Sequence, residues 1–101
     1  MAVTQDVKNP YGIVQAGALL WLADVTASIL ILENGDRAAD GSGFPLAVNL
    51  HCSFIGNVKE GEVKARASFV RNGNRLKVVR TVITGNDNHI LAEITTTHLG
   101  A

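Results

Sequence analysis

From Gly17 to Leu32 the chain reads Gly-Ala-Leu-Leu-Trp-Leu-Ala-Asp-Val-Thr-Ala-Ser-Ile-Leu-Ile-Leu, a run with one formal charge and no proline. Leucine and alanine favour helix, and the run predicts a helix from about Ala16 to Leu32. Glu33-Asn34-Gly35-Asp36 would end it, with Gly35 as a left-handed cap. A helix that is apolar nearly all round has to be covered on more than one side. Ile13 to Leu32 is long enough to span a bilayer, but Gln15, Asp24, Thr26 and Ser28 interrupt it and no basic flank anchors it. A central helix wrapped by the rest of the chain is therefore expected, with no membrane partner. Asp24 is the anomaly in this helix. A carboxylate in apolar surroundings is costly unless it is paired, hydrogen-bonded or used, and the segment holds no Lys or Arg.

Beyond the helix the hydrophobic period changes to two. Phe44 to Ile55 reads as a strand with Leu46, Val48, Leu50, Cys52 and Phe54 on one face and Ala47, Asn49, His51 and Ser53 on the other. Glu62 to Arg71 follows, with Val63, Ala65, Ala67 and Phe69 facing one way. Asn72-Gly73-Asn74 is a strong hairpin signal, and a second turn falls at Gly85-Asn86-Asp87-Asn88. Arg75 to Thr84 and the Thr-rich segment His89 to Leu99 complete four strands. Strands joined by tight turns are antiparallel. At the start, Val3 to Val7 has the composition of a brief strand, and Asn9-Pro10-Tyr11-Gly12 that of a turn. Arg37 to Gly43 reads as a polar, Gly-rich loop. The fold class expected is α+β, with the long helix on the concave face of a curved antiparallel sheet.

A chain of 101 residues makes one small domain, and a core of that size is marginal without a partner copy. The formal net charge is zero and the basic residues are scattered, which argues against nucleic acid. Cys52 is the only cysteine, so neither an intrachain disulfide nor a Cys-rich metal site is expected. A reducing, cytoplasmic setting fits, and Met1 to Asn9 has no basic-then-apolar leader pattern. His51, His89 and His98 lack metal-ligand spacing, and no Gly-x-Ser-x-Gly elbow is present. Each histidine reads as structural or surface, and Cys52 as packing.

Asn9-Pro10-Tyr11-Gly12-Ile13-Val14-Gln15-Ala16-Gly17, followed by Leu22-Ala23-Asp24, resembles the signature of hotdog-fold acyl-CoA thioesterases of the phenylacetate-pathway and 4-hydroxybenzoyl-CoA type. That signature runs Asn, Gly, His-Gly-Gly and then Leu-Ala-Asp or Leu-Ala-Glu. Leu46 to Phe54, Gly61, Asn72 to Leu76 and His89 to Ala92 follow the family's strand order, so the likeness extends over roughly residues 9 to 98. Gln15 stands where the family most often has His, and Ala16 where it has the first Gly. The N-terminal strand that usually precedes the Asn looks short or absent. The resemblance implies a single hotdog thioesterase-like domain over residues 1–101.

It also implies roles. Asp24 would be the general base or nucleophile, the alternative being a structural Asp hydrogen-bonded to backbone or to a partner subunit. The Ala16 N–H, helped by Gly17, would polarise the thioester carbonyl at the positive end of the helix; the alternative is an ordinary helix start. Helical periodicity places Gly17 and Asp24 about 20° apart around the axis, with Ser28 one turn beyond Asp24. Ser28 would hold the water or the carboxylate, or else bond back to the carbonyl four residues earlier. Asn9 would bring an amide to the reacting carbonyl, or simply form the turn before Pro10. Gln15 would orient the loop or touch substrate, without a histidine's proton transfer. Asn72, Gly73 and Arg75 sit at the hairpin where the family often meets the nucleotide end of coenzyme A; a solvated hairpin is the plainer alternative.

The function implied is hydrolysis of a small or aromatic acyl-CoA to free acid and CoA, with no cofactor beyond the CoA of the substrate. A homodimer or dimer-of-dimers homotetramer is implied, with the site between protomers. A non-catalytic hotdog protein that binds acyl-CoA or another ligand is the second hypothesis, motivated by Gln15 and Ala16. A hydratase or dehydratase ranks last, because Gln15 removes the histidine it would need.

Overall fold

A computed structural model describes residues 1–33 and 46–99. Gly35 and the loop Arg37 to Gly43 lie outside the described residues. An 18-residue helix, α1 (Ala16–Glu33), is followed by strands β1 (Leu46–Phe54), β2 (Lys64–Asn72), β3 (Leu76–Thr84) and β4 (Ile90–Leu99). The strands form one antiparallel sheet in the order β1-β4-β3-β2. This is the expected α+β arrangement, a helix lying across an antiparallel sheet. Strand limits differ from the sequence expectation by only one or two residues, as is usual where ends fray.

The alternation read from the sequence decides which side of the sheet meets the helix. Ala65, Ala67 and Phe69 of β2 pair with Ile83, Thr81 and Val79 of β3, and the last three are fully buried. On β4 the same side carries Ala92, Ile94, Thr96 and His98, all fully buried. Helix α1 answers with Leu19, Ala23, Ala27 and Ile31, one stripe at a spacing of four. The helix packs chiefly over β2 and β3 and touches β1 least. By length and composition α1 could cross a membrane, but here its stripe is used in packing on the sheet.

Three details depart from the sequence reading. First, a bulge between Ala47 and Asn49 leaves Val48 without a cross-strand partner. An extra residue on one strand reverses the alternation behind it. Leu50, Cys52 and Phe54 therefore share the helix side with Ala47, while Leu46 lies opposite Leu99 on the other face. Second, Val3 to Val7 is not a strand. Ala2 makes one antiparallel bridge to Glu62, and Gln5–Val7 is a turn of 3₁₀ helix. Third, the curved sheet fully buries one stripe of the helix but leaves other apolar positions open, with Trp21 61 % exposed and Ile29 49 %.

Candidate active site

The entry to α1 is built from backbone constraints. Asn9 Oδ1 accepts from the Tyr11 N–H at 2.9 Å and, more weakly, from the Ile13 N–H at 3.4 Å. The Asn9 N–H donates to the Ile13 carbonyl at 2.8 Å, and the Gly12 N–H to the Asn9 carbonyl at 3.0 Å. Gly12 takes φ +78°, a conformation that costs other residues strain. Asn9 is thus engaged in turn formation. Gln15 is tied the same way: its N–H donates to the Val7 carbonyl at 2.8 Å and its Nε2 to the Lys8 carbonyl at 3.0 Å.

The Gln15 carbonyl opens the helix by accepting from Ala18 at 3.1 Å and Leu19 at 3.3 Å. The N–H groups of Ala16 and Gly17 have no acceptor among the described residues, and both residues are exposed. The Gln15 side chain, which occupies the capping position, is turned away toward Lys8. The helix therefore presents two free donors at the positive end of its dipole, the arrangement that stabilises a developing oxyanion. Ala16 supplies this N–H without needing a glycine, because it sits inside a regular helix.

Asp24 is half-buried, and among the described residues its carboxylate makes no hydrogen bond or ion pair. Among the described residues no backbone group holds it, as the structural alternative would require. Ser28, one turn on, is also half-buried and makes no hydrogen bond among the described residues. Gly17, Asp24 and Ser28 follow one another along one side of α1, flanking the stripe of Leu19, Ala23 and Ala27 that packs on the sheet.

The hairpin residues fall elsewhere. Phe69 and Val79, the apolar sheet residues nearest that hairpin on the helix side, belong to the cluster under Ala27 and Ile31, at the C-terminal end of α1. Val14, Leu19 and Ala23 pack instead with Ile83, Leu91 and Ala92, at the opposite end of the sheet. Within one protomer Asn72, Gly73 and Arg75 are thus at the far end of the helix from Ala16. Asn72 Oδ1 and the Gly73 carbonyl both accept from Lys77 Nζ, which also lies 5.9 Å from the centre of the Phe69 ring. Arg75 is exposed.

His98 is fully buried, with Nε2 2.9 Å from Thr96 Oγ1. Burial pushes the Cys52 thiol up from its ordinary value, which keeps it a neutral thiol at neutral pH. Among the described residues no group of His, Cys, Asp and Glu side chains could hold a metal ion.

Sequence reasoning missed Asn57. Its Oδ1 accepts from the Val14 N–H at 3.0 Å and its Nδ2 donates to the Val14 carbonyl at 3.0 Å. In the sequence Gly56-Asn57 reads only as a connection, and nothing local marks a partner 43 residues away.

An apolar helix lying across a four-stranded antiparallel sheet of this order defines a hotdog-fold domain, and solved structures share that fold. A point mutant of a thioesterase from Staphylococcus aureus is 24% identical with a TM-score of 0.91, over 99% of this chain and 80% of that one. A thioesterase from Haemophilus influenzae is 19% identical at 0.91, over 100% of this chain and 68% of the other. A Bacillus halodurans protein solved with CoA is 17% identical at 0.91, again over 100% and 68%. No curated protein matches the chain in sequence. The thioesterase superfamily matches residues 11–100, nearly the whole length, and the chain belongs to that superfamily.

Proposed function

We propose that this chain hydrolyses the thioester of a small or aromatic acyl-CoA, releasing the free acid and CoA, without a further cofactor and in the cytoplasm. The observation that carries the reading is the pair of N–H groups at Ala16 and Gly17 that lack acceptors among the described residues, together with an Asp24 carboxylate that none of the described residues pairs. The superfamily membership and the CoA held by the Bacillus halodurans protein of the same fold support it.

The chemistry divides between these groups. The helix-start N–H groups polarise the thioester carbonyl and stabilise the tetrahedral oxyanion. Asp24 either deprotonates a water or attacks the acyl carbon itself, and CoA departs as the thiolate. Ser28 is placed to hold the water or the carboxylate, and Asn9 and Gln15 shape the entry to the helix. The seven residues from Gly17 to Asp24 span about 10 Å of helix axis. One carbonyl cannot accept from the first and be attacked from the second on the same helix. A site with the donors of one protomer and the carboxylate of its partner removes the conflict.

The protomer's surface supports a homodimer. β1 is an edge strand, and on its helix side Leu50 is 42 % and Phe54 51 % exposed. Trp21 and Ile29 on α1 are equally uncovered. A second copy would bury this apolar area and complete the cover that the helix lacks. Dimers pairing further into a tetramer, with Asn72, Gly73 and Arg75 meeting the nucleotide of a neighbouring site, would reconcile the hairpin with its distance from Ala16.

Purified protein assayed with acetyl-, hexanoyl-, benzoyl- and phenylacetyl-CoA in the presence of a thiol reagent tests the reading. Release of CoA from at least one is expected. Tight binding with no release from any would instead make the chain an acyl-CoA-binding protein.

A further inference from the structure

The free donors at Ala16 and Gly17 are useful only if they point at a fixed place, and the residues around them give little rigidity by themselves. The arm from Thr4 to Gln15 is held mostly to itself. Val7 bonds Gln15, Asn9 bonds Ile13 and Tyr11, and Lys8 bonds the Gln15 side chain. These contacts shape the arm but do not fix it relative to the sheet. Packing of Val14, which is 1% exposed, contributes. Apolar packing is non-directional, however, and does not set the orientation of a backbone.

Asn57 does set it. Its amide closes a two-way bond on the Val14 peptide groups, accepting from N–H and donating to C=O, both at 3.0 Å. The same Oδ1 accepts from the Val58 N–H at 2.8 Å, which locks the amide against its own backbone. Met1 and Val3 tie the start of the chain to Val63 and Gly61, and the Gln15 carbonyl joins the arm to α1; between those two ends, among the described residues, only the Asn57 amide hydrogen-bonds the arm to the sheet side of the fold. The platform beneath is rigid in turn. Ile55 and Gly56 both donate to the Leu91 carbonyl, at 2.7 and 2.9 Å, at the start of the buried part of β4. An unbroken path therefore runs from β4 through Asn57 to Val14, and two residues on lie the Ala16 and Gly17 donors.

From this path we infer that Asn57 is a positioning residue for the reaction. It holds the helix entry so that the Ala16 and Gly17 N–H groups meet the oxyanion, and it touches no substrate itself. The inference rests on the proposed hydrolysis and deepens it. Donors aimed at charge that develops only in the transition state act on kcat and leave substrate binding almost untouched. Loosening the clamp should therefore lower kcat without raising KM.

The experiment uses the acyl-CoA that the wild-type protein cleaves fastest, with Asn57→Ala and Asn57→Asp. The aspartate keeps an oxygen to accept from Val14 and Val58 but loses the bond to the Val14 carbonyl. Asn57→Ala is expected to lower kcat roughly ten- to a hundredfold, the scale set by an ångström of misplacement, with KM within about twofold. Asn57→Asp should fall between it and wild type. Folding is checked by circular dichroism and thermal unfolding. If Asn57→Ala does not fold, Asn57→Asp alone decides: kcat down with KM unchanged supports the role, and wild-type kcat overturns it. A folded Asn57→Ala with wild-type kcat also overturns it, as does a parallel loss in both constants with Asn57→Asp no better. Failure of both variants to fold would assign Asn57 to folding alone. A wild-type protein inactive on every thioester would instead sink the proposed function, and this role with it.

Discussion

The Thr26 hydroxyl donates to the Leu22 carbonyl at 2.7 Å, one turn back along α1. The helix-internal bond expected as an alternative for Ser28 is thus made by Thr26, and Ser28 is left with no hydrogen bond among the described residues. A half-buried hydroxyl on the side that carries Asp24 is available to a water or a substrate. Ser28→Ala should lower kcat/KM by about tenfold, the loss of one hydrogen bond in the transition state, while thermal unfolding stays within a few degrees. Unchanged kinetics would remove Ser28 from the site.

Asp24 makes no hydrogen bond or ion pair among the described residues and costs desolvation on an apolar helix. Asp24→Asn should therefore leave the unfolding temperature unchanged or raised. Loss of a general base or nucleophile should lower kcat by about a hundredfold or more. Full turnover by this variant would reassign the carboxylate.

Two glycines beside the site should respond oppositely to alanine. A Cβ on Gly17 meets nothing within 4 Å, and the residue sits in the first turn of α1. Gly17→Ala should raise stability by up to about 1 kcal/mol through helix propensity. It should lower kcat, because the methyl enters the space beside the free N–H. A Cβ on Gly12 also meets nothing, but its φ of +78° strains any other residue. Gly12→Ala should destabilise by about 1 kcal/mol. Denaturant midpoints compare the two.

Trp21 is the largest exposed apolar side chain on α1. If a second copy covers it, Trp21→Glu should shift the protein to monomer in sedimentation velocity and abolish turnover with it. A variant that remains oligomeric and active would place the interface elsewhere.

Thr81 is fully buried on the helix side of the sheet, and its hydroxyl has no hydrogen-bond partner among the described residues. Thr81→Val keeps the shape and removes the unmet group, which should stabilise by about 1 kcal/mol. A lowered unfolding temperature would mean that the hydroxyl is used in the assembled protein.

The motif from Asn9 to Asp24 and the strand alternation were legible because both are local. Periods of 3.6 and 2 place residues on faces without knowledge of the partner. Val48 escaped because a bulge depends on how two strands pair, and Leu46 and Leu50 look alike in sequence whichever side of the sheet they take. Asn57 escaped because its amide is an ordinary turn residue until residue 14 is brought beside it.

By itself, then, the sequence determined the elements: one apolar helix with a carboxylate in it, four antiparallel strands, and a helix entry with the marks of the thioesterase superfamily. Only the tertiary structure decided which stripe of α1 the sheet covers, and that among the described residues the Ala16 and Gly17 N–H groups lack acceptors and Asp24, flanking that stripe, lacks a partner. These depend on contacts between residues tens of positions apart, and hydrogen-bond partners and burial exist only once the chain has closed on itself.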